Sequence, residues 1–351
     1  MKFKRKPYSD IFYIVFVLIL LMIIILFTNI TVKVSKYGTN LTLAIPPAAS
    51  ENTATTRTLT STTQMPIVFS TWIPRENNRK WTSIASNSIG DKLVACTHLG
   101  QIYTSTDSGV SWIPRESNRK WTSVASNSTG DKLVACAHLG QIYTSTDSGV
   151  SWTPRETNRS WSSVASNSNG DKLVACERDG QIYTSTDSGI SWIQRESSGV
   201  QEWMSVASNS IGDKLIACAF NDGYIYISTD SGVSWTPRES NRKWSGVKSN
   251  STGNKLVACV YGGRIYTSTD SGVSWIPHES ERDWSSVASN STGNVLVACC
   301  LSAGRIYTST DSGVSWIPHE SEREWYDVAS NSTGDKLVAC AHLGQIYTSN
   351  R

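Results

Sequence analysis

Six aspartates, Asp107, Asp147, Asp187, Asp230, Asp270 and Asp311, stand in near-identical octapeptides that read Ser-Thr-Asp-Ser-Gly-Val-Ser-Trp or differ from it by one methyl-bearing residue. Carboxylates can ligate calcium or act as general acids and bases, so both chemistries need weighing. Calcium takes about six to eight oxygen ligands, and one carboxylate per octapeptide falls far short of that. Glycoside hydrolysis needs two carboxylates at a fixed separation, or a Tyr nucleophile with its partner, in one asymmetric pocket, whereas a sixfold repeat supplies the same group at every station. The octapeptide instead has the composition of a tight turn. Its aspartate can accept N–H groups of the turn, its glycine can take a positive φ, and its tryptophan offers a large apolar face.

Other reactive side chains recur in the same way. His98, His138 and His342 occupy equivalent positions, without a His-x-x-x-His or Cys-x-x-Cys spacing, so the repeat explains them and no metal or other cofactor is expected. Seven of the eight cysteines, Cys96, Cys136, Cys176, Cys218, Cys259, Cys299 and Cys340, are also equivalent, with Cys300 as the extra one. Equivalent positions on neighbouring units should lie about 9 Å or more apart, beyond the roughly 7 Å Cα limit of a disulfide. They are expected to be small buried hydrophobes.

The elements that carry these residues follow from the period. Trp81, Trp121, Trp161, Trp203, Trp244, Trp284 and Trp325 open similar segments at spacings of 40, 40, 42, 41, 40 and 41 residues. Each unit divides into four short strand-like pieces, for example WTSVASN, KLVACAH, GQIYTST and SWTPRE, separated by turn residues. Four antiparallel strands in seven units predict an all-β, seven-bladed β-propeller. The last unit ends at GQIYTSNR without a fourth strand, while Ile67–Glu76 (IVFSTWIPRE) is a fourth strand without its first three. The N-terminal piece is therefore expected to complete the last blade, hiding an edge that would otherwise pair with other chains.

The pattern Ser-x-Asp-x-Gly-x-x-Trp between third and fourth strands resembles the Asp-box, or BNR repeat, of sialidases, sortilin-type receptors and photosystem II assembly/stability factors. Six complete copies within residues 66–351 carry the resemblance. In that family the Asp-box is a structural hairpin on the face opposite the ligand site, and the seven-bladed assembly-factor branch is the nearer one. Sialidases carry Arg-Ile-Pro before the first Asp-box, together with three substrate-binding arginines. Here Ile73 and Pro74 follow Trp72 instead, and Trp-Ile-Pro recurs as an ordinary fourth strand.

Differences among units indicate a working face. The 3–4 and 1–2 turns are nearly uniform, whereas the 2–3 loops (THLGQ, ERDGQ, AFNDGY, CLSAGR) and the 4–1 connections vary. Connections into the first, second and fifth units are net basic, as in Arg75, Arg79 and Lys80 against Glu76; those into the sixth and seventh are net acidic. Arg79, Arg119 and Arg159, with Glu177, Arg178 and Asp179 of the divergent third loop, are the candidate binding residues for a protein or glycan partner. A binding or assembly scaffold is the favoured reading. A sialidase-like hydrolase and a structural surface-display protein are the alternatives, and catalysis is disfavoured because no nonrepeated acid pair stands out.

Residues 1–10 form a basic tail, and Ile11–Phe27 is an unbroken run of seventeen apolar residues. With the residues that follow, it reads as an uncleaved membrane helix over 11–30, oriented with the N-terminus in the cytoplasm. The result is a single-pass type II protein with its propeller on the exoplasmic side. Residues 31–65, rich in Thr and Pro, read as a stalk. Lys2, Lys4, Arg5 and Lys6 against Asp10 account for the whole net charge of +3, which leaves no basic surface for nucleic acid. Asn40, Asn127, Asn158, Asn250, Asn290 and Asn331 begin N-glycosylation triplets.

Overall fold

The computed structural model describes residues 31–34, 41–44 and 71–350, apart from 222 and 303. The chain divides into two units at Pro66/Ile67. Within the first, Thr31–Val34 and Leu41–Ala44 pair antiparallel, Thr31 opposite Ala44 and Val34 opposite Leu41. The stalk reading overlooked this hairpin, although TVKV and LTLA carry the β-branched and alternating residues that favour strands. The membrane helix expected over 11–30 and the triplet at Asn40 lie outside the described residues. Among the described residues no helix is long and apolar enough to cross a membrane.

The second unit is almost entirely β. In the first full repeat, strands Arg79–Ser86, Leu93–Gly100, Ile102–Ser105 and Ile113–Pro114 pair antiparallel in chain order. The same order recurs along the chain, with one short 3-10 turn at Glu196–Ser198. Alternation sets the faces: in the second strand Leu93 and Ala95 pack with residues of the last repeat, while Val94 and Cys96 pack with Trp121 of the next. The core therefore lies between sheets. Each first-strand tryptophan, Trp81 through Trp325, is fully buried there. Trp81 meets Tyr103 edge-on at 5.2 Å, and the other six repeats copy the pair.

The octapeptide is a hairpin held by its serine, aspartate and tryptophan side chains. Ser105 Oγ donates to Asp107 Oδ1 at 2.8 Å and accepts the Gly109 N–H at 2.9 Å. Asp107 in turn accepts the N–H and hydroxyl of Ser111, and Trp112 Nε1–H donates to the Gly109 carbonyl. Gly109 sits at φ +84°, and a Cβ there would lie 2.9 Å from Thr348 Cγ2, so the turn needs glycine both for its dihedral and for its neighbour. The hydrogen bonds of Asp147, Asp187, Asp230, Asp270 and Asp311 repeat this pattern.

The 1–2 turn is built on a buried asparagine. Asn127 Nδ2 donates to Asp131 and Thr129, while its Oδ1 accepts the Lys132 N–H. Asn250, Asn290 and Asn331 do the same and are 4–5% exposed. Their triplets are turn-forming groups and not the surface acceptors that the motif suggests; Asn158 alone of the described triplets has an exposed asparagine.

Two observations join the ends of this unit. Ile73–Pro74 pairs with Ile346–Asn350, placing Pro74 opposite Tyr347 and Ile73 opposite Thr348, and Trp72 shares a core cluster with Tyr347. Beside the 1–2 turns, a backbone circuit runs from Ser88 through Ser128, Ser168, Ser210, Ser251, Ser291 and Ser332 and back to Ser88. Each serine N–H donates to the carbonyl of the next at 2.9–3.0 Å.

All eight cysteines are free and buried. Burial pushes the Cys96 and Cys176 thiols up to about 12, partly offset by hydrogen bonds from Thr82 and Ser162. The thiols thus act as small core groups, which matches the geometric argument against disulfides.

Candidate functional site: the variable loops and the walled cavity

The 2–3 loops and 4–1 connections form one surface because they pair with each other. His98 lies opposite Lys120, His342 opposite Lys80, His138 opposite Ser160, Arg178 opposite Glu202 and Tyr261 opposite Asp283. Each pairing stitches one sheet to its neighbour. Variation in one loop is thus answered in the connection beside it, most clearly where Arg178 meets Glu202 at 3.5 Å.

Arg79, Arg119 and Arg159 take a role that sequence did not assign. Each guanidinium lies 4.6–4.9 Å over the ring of Tyr103, Tyr143 or Tyr183 and pairs with the glutamate three residues earlier. Arg242, Arg282 and Arg323 stack likewise, so the arginine is a repeated packing device. Glu177 is held by Arg159 at 3.6 Å, and Asp179 takes a positive φ of 56° at an exposed loop tip. Of the six named binding candidates, Arg159 and Glu177 are brought together by their ion pair, while Arg79 and Arg119 are each held within their own repeat.

In the first two repeats the residue just before the first-strand tryptophan is a lysine outside the ion pairs that hold the arginines. Lys80 and Lys120 are exposed there, flanking His98. The His98 pKa is lowered from its ordinary value by burial, then by Lys80, Lys120, His138 and His342. These groups define a basic arc across adjacent repeats. Glu202, Asp283 and Glu324 stand at the same position elsewhere on the ring of repeats.

A cavity of about 560 Å³ is walled by first-strand residues of all seven repeats, with His98, His138 and Arg178 at its loop-side end. Four departures from the repeat line it: Met204, Lys248, Tyr326 and Asp327, where other repeats place Thr or Ser, Ala, Thr or Ser, and Ser or Gly. Asp327 is the single carboxylate of its lining. Its oxygens accept the Ile84 N–H at 2.9 Å, the Ser286 hydroxyl at 2.6 Å and its neighbour Val328 N–H at 2.9 Å. A comparison of first strands, unit against unit, is the signal that would have found these four residues; the emphasis on loops passed over them.

No protein-family model matches the chain, and no curated protein matches it. Solved structures do. YCF48 bound to D1 peptide superimposes with a TM-score of 0.63 at 18% identity, covering 80% of this chain and 96% of that one. YCF48 from Cyanidioschyzon merolae gives 0.63 at 15%, covering 80% and 98%. The GH74 xyloglucanase from Xanthomonas campestris gives 0.65 at 15%, covering 80% of this chain and 53% of the enzyme. At these identities the likeness is one of fold: the chain has a β-propeller architecture like that of the assembly factor and the glycosidases.

Proposed function

We propose that the chain is a membrane-anchored, seven-bladed β-propeller, closed by its N-terminal strand, that binds an acidic protein segment through its 2–3 and 4–1 loop face. The serine circuit and the Ile73–Thr348 pairing support the blade count and the closure. The apolar run over 11–30 supports a type II anchor that sets the propeller on the exoplasmic side. The observation that carries the binding reading is the arc of Lys80, His98, Lys120 and His138, which has cationic groups without the tyrosine and glutamate partners that occupy the arginines. A propeller of like fold described as bound to a peptide supports a protein partner over a glycan. Hydrolysis by a carboxylate pair draws no support from the walled cavity, whose lining presents one carboxylate, Asp327.

A fluorescent glutamate decapeptide tests the reading by anisotropy. Binding should be salt-sensitive, should be lost on Lys80→Glu with Lys120→Glu, and should tighten as pH falls below 6.5, where His98 gains a proton. Binding that is indifferent to both charge reversals removes the arc as the site.

A further inference from the structure

The walled cavity holds a second feature that the loop-face reading does not use. Six of its seven first strands carry alanine four residues after the tryptophan, so a departure at that position needs its own physical reason. At the level occupied by Ala85, Ala125, Ala165, Ala207, Ala288 and Ala329, the fifth repeat has Lys248. Among the described residues Lys248 makes no ion pair and no hydrogen bond, and it is only partly exposed. An unpaired lysine at the cavity wall orders a long side chain for no contact that offsets the lost freedom, a cost that alanine would avoid.

The surroundings specify what would repay it. Asp327, the one carboxylate in the lining, is already engaged by three donors and forms no ion pair with Lys248. Arg178 adds a second cation at the loop-side end, and no carboxylate of the lining answers Lys248. Serine hydroxyls of several repeats line the wall, while Met204 and Tyr326 replace two small residues with larger faces. The volume, about 560 Å³, is that of a small-molecule site.

We infer that the cavity binds a small polyhydroxylated oxyanion, a sugar carboxylate or sugar phosphate, with its anionic group on Lys248 and its hydroxyls on the serine wall. The anionic position at Lys248 is distinct from Lys80 and Lys120 of the basic arc, which do not line the cavity, although His98 and His138 of that arc stand at its loop-side end.

Titration calorimetry on the full-length chain in mild detergent, with gluconate, glucose 6-phosphate and neutral glucose as probes, tests the assignment. At least one anion should bind saturably while glucose does not, and the tighter anion identifies the oxyanion. Lys248→Ala restores the residue of six other repeats and should fold normally. It should weaken binding roughly ten- to hundredfold, as expected for loss of one charged hydrogen bond. Lys243→Ala, on the exposed connection of the same repeat, should leave binding unchanged. Absence of anion binding, equal binding of glucose, an undiminished Lys248→Ala, or an equal loss in Lys243→Ala would each overturn the inference.

Discussion

At the residue scale, the repeat exposes which side chains answer to packing and which do not. In four repeats a serine Oγ accepts an N–H from the next first strand, as Ser83 does from Val124 and Ser123 from Val164 at 3.3 Å. Asp327 serves Ile84 in the same way. Gly246 occupies this position in the fifth repeat and has no oxygen to offer the buried Val287. Gly246→Ser should therefore stabilise the chain by about 1 kcal/mol, combining a weak hydrogen bond with reduced freedom of the unfolded chain. A Cβ at Gly246 would lie 3.2 Å from Cys259 Sγ, and Gly246 stands opposite Cys259 in the same register as Ser83 opposite Cys96. A lower midpoint in urea for Gly246→Ser would refute this account. The arginines teach the opposite lesson: Arg79, Arg119 and Arg159 stood out in the sequence by charge, yet they stack on tyrosine as packing groups that recur in six of the seven repeats.

At the element scale, the Asp-box hairpin ties stability to acidity. Hydrogen bonds from Ser191 hold the Asp187 carboxyl at about 2, and those from Ser274 do the same for Asp270, against an ordinary value of 3.8. Because the folded-state values lie below the unfolded ones, their stabilisation is complete above pH 3.8 and is lost as pH falls toward 2. Asp187→Asn combined with Asp270→Asn should lower stability at neutral pH and flatten its decline between those two pH values. Urea midpoints measured across the acid range check both effects, and an unchanged acid limb would show that the hairpin carboxylates do not set it. The hairpin was legible from sequence because the side-chain hydrogen bonds of Ser105, Asp107 and Trp112 close within the octapeptide itself. The loop pairing of His98 with Lys120 was not, because it joins residues of different repeats.

At the scale of the whole molecule, the last sheet depends on a strand contributed from the far end of the unit. Trp72 is 6% exposed and packs with Tyr347, and Arg75 reaches Thr348 through a 2.9 Å hydrogen bond. Trp72→Ala should cost roughly 3–5 kcal/mol as a buried large-to-small change. By loosening the cover on Ile346–Asn350 it should also promote edge-to-edge oligomers. Thermal melting and light scattering on the variant measure the two effects, and a monomer of unchanged melting temperature would show that the strand is dispensable. The order of strands, the turn chemistry and the inert cysteines were determined by sequence alone, since a period near 40 residues and alternating side chains fix them locally. Only the tertiary structure decided that four buried asparagines are turn-formers, that the variable loops pair across repeats, and that Met204, Lys248, Tyr326 and Asp327 share one cavity. The physical reason is distance along the chain: those four residues are up to 123 positions apart, and only packing of the first strands around a common space brings them together.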